Sequence, residues 1–73
     1  MSIYLHIDQS GIRTVCLGGQ VVTGPSPEVV LDLLLDAQLS DRTQTLLEEY
    51  AEELLACVED GQAGKTYVFG GHE

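Results

Sequence analysis

The chain has 73 residues, with twelve acids against three bases and a formal net charge of −9. Charge of that size and sign works against binding naked DNA, RNA or anionic lipid and favours a basic protein surface as partner. A hydrophobic content of 44% is too high for a disordered chain, and the length makes one domain, residues 1–73, whose small core calls for support from oligomerisation, a metal or a disulfide.

Ile3, Leu5 and Ile7 alternate with Tyr4, His6 and Asp8. This period of two predicts a strand over residues 2–8. Asp8-Gln9-Ser10-Gly11 carries turn residues, and a second strand follows over 12–17. Gly18-Gly19 is a two-residue hairpin signal, with a short third strand over 20–23. Gly24-Pro25-Ser26-Pro27 ends this meander. Ser26 can cap a helix and Pro27 suits its first position.

That first helix runs to about Gln38. Its apolar residues cover about two thirds of the circumference, more than one contact on a monomer can bury. Glu28, Asp32 and Asp36 form the remaining stripe. The excess predicts a homodimer through those of Val29, Val30, Leu33, Leu34 and Ala37 that face away from the sheet.

Ser40 to Asp60 reads as one uninterrupted helix, with Ser40 as N-cap and Gly61 as the residue after its end. Leu46, Leu47, Tyr50, Ala51, Leu54, Leu55, Cys57 and Val58 share one half of it, and Glu48, Glu49, Glu52, Glu53 and Glu59 the other. Lys65 to Phe69 is the last strand, followed by a flexible tail over 70–73. The order β-β-(β)-α-α-β predicts an α+β fold: an antiparallel sheet, last strand beside the first, with two helices packed on one face. Leu5, Ile7, Val15, Leu17, Leu33 and Leu34 are expected in the core. Leu47, Tyr50, Leu54, Val58, Tyr67 and Phe69 join them.

No catalytic chemistry is legible. His6, Cys16, Cys57 and His72 are the candidate metal ligands, but none lies in a CxxC, HExxH or close His pair. No phosphate-binding glycine loop is present, and the paired acids lie on the wet face of their helix, where acid–base work is disfavoured. No enzyme activity, metal or cofactor is therefore expected. Two reduced thiols are expected, with a Cys16–Cys57 disulfide as the alternative. No apolar run approaches the ~18 residues of a membrane span, and no secretory leader is read, so a cytoplasmic location is expected.

The acidic face carries the functional signal. Glu48 with Glu52, and Glu49 with Glu53, would be like-charge pairs four residues apart on one helix, each costing a few tenths of a kcal/mol. Evenly spaced carboxylates on a rod are similar to the phosphates that basic channels hold. Glu48, Glu49, Glu52 and Glu53 are the expected partner contacts, with Glu28, Asp32 and Asp36 as a second stripe.

In size, charge and organisation the whole chain resembles the small acidic phage-encoded inhibitors, especially the anti-CRISPR proteins. No motif is shared, so no residue takes its role from that resemblance. It implies a non-catalytic inhibitor that occupies a basic, nucleic-acid-binding surface of a host protein such as a CRISPR-Cas effector, in the host cytoplasm. The other reading is a small self-associating adaptor that works through its apolar first helix, with charge serving solubility only.

Overall fold

The structure, a computed structural model, describes residues 2–70. The elements are β1 (Ser2–Ile7), β2 (Arg13–Leu17), β3 (Gln20–Gly24), α1 (Pro27–Asp36), α2 (Asp41–Glu49), α3 (Ala51–Asp60) and β4 (Thr66–Gly70). The protein is α+β: one antiparallel sheet in the order β3-β2-β1-β4, with its helices packed on one face. The last strand pairs antiparallel with the first, Leu5 opposite Tyr67 and Ile3 opposite Phe69. Residues 71–73, and with them His72 and most of the tail read from the sequence, lie outside the described residues. Gly70 belongs to β4.

Local chemistry fixes the meander. The Asp8 carboxylate accepts from the Ser10 and Ile12 backbone N–H groups at 2.8 and 3.0 Å, which holds the β1–β2 turn. Gly18 and Gly19 have φ of 54° and 81°, the left-handed pair that a two-residue hairpin requires. A Cβ on Gly18 would also overlap the side chain of Thr43. The hairpin tip is therefore the seat of α2, whose Thr43 is buried there. Ser40 caps α2 by accepting from the Thr43 N–H at 3.3 Å.

The core lies between the sheet and the helices. Ile3, Leu5 and Ile7 of β1, Val15 and Leu17 of β2 and Val22 of β3 meet Val30 and Leu34 of α1 and Leu54 and Val58 of α3. Leu33, expected inside, is 42% exposed. The sheet takes the side of α1 directly opposite the Glu28, Asp32 and Asp36 stripe. At about 100° per residue that side is Val30 and Leu34, and Leu33 falls on its flank. Leu47, Tyr50, Tyr67 and Phe69 pack around the margin of the core, partly buried.

The stretch read as one helix from Ser40 to Asp60 is two helices. Tyr50 separates them with φ −112° and ψ 16°, outside helical geometry. Neither Gly nor Pro causes the break; packing does. A straight helix of twenty residues runs about 30 Å, whereas strands of five or six residues span about 17–20 Å. The break at Tyr50 lets Thr43 of α2 seat on the β2–β3 hairpin while Leu54 and Val58 of α3 enter the core, and the Tyr50 ring packs against Phe69 at a centroid distance of 6.5 Å.

The end of α3 is held from the sheet. Arg13, on the inward side of β2, donates from Nε to the Val58 carbonyl and from Nη1 to the Gly11 carbonyl at 2.7 Å. A guanidinium on the last-turn carbonyls satisfies groups the helix leaves unpaired. Gly61 follows with φ −64°, not the left-handed value expected of a residue closing a helix. It is glycine for space, because a Cβ there would press on Ile7 Cδ1 and the Cys57 carbonyl.

Candidate functional site

The two faces of the sheet differ in kind. On the open face, register aligns Val21, Cys16, Tyr4 and Val68 in one row and Thr23, Thr14, His6 and Thr66 in the next. Neither row holds an Asp, Glu, Lys or Arg. His6 hydrogen-bonds through Nδ1 to Thr66 Oγ1 at 2.8 Å, on the strand away from Cys16. Cys16 and Cys57 are both free thiols, as the sequence reading expected. They are also separated by the sheet, since Cys57 packs against the core from the helical side. Among the described residues no group of three or more His, Cys, Asp or Glu side chains is placed to hold a metal. Nor is any helix there long and apolar enough to cross a membrane.

The charge is concentrated on the helical layer. Glu28, Asp32 and Asp36 are exposed along the outer side of α1, as are Glu48 and Glu49 on α2 and Glu52 and Glu53 on α3. The break at Tyr50 changes what the last four share. Glu48 and Glu49 end α2, while Glu52 and Glu53 lie in the first turn of α3. They are not the continuous i,i+4 ladder that one helix would make.

Their positions relative to the helix dipoles now matter. Acids in a first turn are favourable, so Glu52 and Glu53 stabilise α3. Acids in a last turn are not. Yet α1 ends on Asp36, α2 on Glu48-Glu49 and α3 on Glu59-Asp60, with no basic residue in any last turn. Of the three bases in the chain, Arg13 is engaged with backbone carbonyls. Lys65 precedes β4, and Arg42 sits in the first turn of α2.

Between the helices lies an apolar groove of about 320 Å³. Leu31, Leu34 and Leu35 of α1 form one wall. Ala51, Leu54 and Leu55 of α3 form the other, and Leu47 of α2 also lines the groove. Leu35 is 85% exposed and Leu55 40%. Helical periodicity sets Glu28 and Asp32 beside the α1 wall, and Glu52 and Glu59 beside the α3 wall. Glu49 and Glu53 fall on the opposite flanks. A larger, shallower depression of about 500 Å³ lies on that far side of α2, where Arg42 joins Asp41 and Glu49. Its wall mixes both signs of charge, whereas the groove's wall is apolar throughout.

Of the residues expected at a dimer interface, Val30 is fully buried against the chain's own sheet, and Leu34 is buried but for the edge that lines the groove. Val29 and Leu33 are 38% and 42% exposed on one flank of α1, and Ala37 is the residue that caps its end. The groove itself is not apparent in the sequence. Leu31, Leu35 and Leu55 read there as parts of two separate apolar arcs, and only the packing sets them side by side.

No known protein family matches the chain, and no curated protein or solved structure does either. The functional reading therefore rests on the chemistry of this surface.

Proposed function

We propose that the protein is a non-catalytic inhibitor that uses its acidic helical layer to occupy a basic, nucleic-acid-binding surface of a host protein, such as a CRISPR-Cas effector. The observation that carries this reading is the placing of carboxylates in the last turn of all three helices, with no basic residue there. Each such acid opposes the helix dipole and costs roughly 0.3–1 kcal/mol at the surface. A chain selected only for stability would carry Lys or Arg at these ends. One selected to meet a cationic surface keeps the acids, since steering and complementarity depend on their sign.

The test uses a panel of purified Cas effector complexes and fluorescently labelled target DNA. Inhibition of DNA binding by one member is expected. It should weaken steeply between about 50 and 300 mM salt and disappear when Glu48, Glu49, Glu52 and Glu53 are all changed to Lys. Full inhibition by the folded quadruple variant would overturn the acidic-surface reading. No inhibition of any complex at low salt would remove this class of target.

A second reading, self-association as an adaptor, is favoured by the exposure of Val29 and Leu33. Light scattering at micromolar concentration would then give twice the chain mass, and a species that stays monomeric when concentrated would end it.

A further inference from the structure

We propose that the groove between α1, α2 and α3 is a docking site for a basic amphipathic helix of the partner protein. This deepens the acidic-surface reading and rests on it, because it names what on the basic partner is gripped.

Two properties of the groove select the occupant. Its walls are leucine and alanine throughout, so they offer no hydrogen-bond donor or acceptor to orient a polar small molecule. The volume of about 320 Å³ accommodates a few aliphatic side chains. An amphipathic helix supplies these as a ridge at i, i+3, i+4 and i+7. The second property is the sign of the rim. Helical periodicity puts Glu28 and Asp32 along one side of the leucines and Glu52 and Glu59 along the other, so the side chains flanking the ridge must be Lys or Arg. A second copy of this chain fails that requirement. It would set its own carboxylates against the same rim, with a formal charge of −9 on each copy. Leu35 of α1 and Leu55 of α3 are the most exposed of the groove's lining residues.

The test separates apolar docking from charge alone. Two synthetic helical peptides of equal positive charge are titrated into the protein at about 100 mM salt. One carries a leucine ridge flanked by lysines; in the other, glutamine replaces each leucine. Docking in the groove predicts that the leucine peptide binds about tenfold tighter or better. It also predicts that Leu35→Gln with Leu55→Gln abolishes this advantage and leaves the glutamine peptide unaffected. Both positions are exposed, so the variant keeps its fold, which circular dichroism checks.

Equal binding of the two peptides would overturn the groove and leave the acidic-surface reading standing. So would a leucine advantage that survives the double variant. If neither peptide binds even at low salt, both readings fall. A doubling of mass in light scattering that the double variant removes would assign the groove to self-association instead.

Discussion

Arg13 sits on the inward side of β2, where strand alternation normally places an apolar residue. Its guanidinium reaches the Val58 and Gly11 carbonyls, so a strand residue closes the end of α3 and ties the β1–β2 turn to it. Arg13→Met keeps the apolar stem and removes the donors. It should lower unfolding stability in urea by about 1–3 kcal/mol. Arg42→Met is the control: it makes the same change in net charge from the exposed start of α2 and should stay within about 0.5 kcal/mol of wild type. Equal effects of the two would mean that Arg13 acts only through net charge. Gly18 has the same logic at shorter range. Its positive φ was legible from the Gly-Gly pair, but the further demand for an absent side chain comes from Thr43 packed on it.

At the scale of the element, the break at Tyr50 reverses the electrostatic meaning of four neighbouring glutamates. Glu48→Lys with Glu49→Lys should stabilise the protein, because it puts cations at the negative end of α2. Glu52→Lys with Glu53→Lys should destabilise it relative to that pair, because it removes acids from the positive end of α3. Both pairs change net charge equally, so relief of general repulsion cancels in the comparison. The difference in denaturation free energy between the two double variants is expected to be about 1–3 kcal/mol. One continuous helix would put all four positions in its interior and make the two pairs nearly equivalent, so near-equal stabilities would argue against the break.

At the scale of the molecule, the asymmetry of the two sheet faces sets the behaviour. Carboxylates crowd the helical layer, while the open face of the sheet presents two rows without an acid, lysine or arginine. Self-repulsion at a net charge of −9 opposes compactness and is screened by salt over a distance of about 10 Å at 0.1 M. The melting temperature should therefore rise as sodium chloride is raised from about 20 to about 500 mM. It should rise less in the Glu48→Lys, Glu49→Lys variant, which carries less charge to screen. A melting temperature that is flat or falls with salt would show that the carboxylates are too well solvated to oppose folding, and would weaken the case that their placing is costly.

Patterns with short range were set by the sequence itself. The period of two in Ile3, Leu5 and Ile7, the Gly18-Gly19 turn, the Ser26 and Ser40 caps and the acidic stripe of α1 each depend on neighbours within a few residues, where backbone sterics and local hydrogen bonds decide. The antiparallel pairing of β4 with β1 followed from the order of those elements. Only the tertiary structure decided the rest, because it turned on distances between elements far apart in the chain. The helix breaks at Tyr50, whose ring packs on Phe69 of the last strand, where local propensity would have continued it. The side of α1 that met the sheet exchanged Leu33 for Val30 in the core. The approach of α1 to α3 then made one groove out of leucines that, along the chain, belong to different helices.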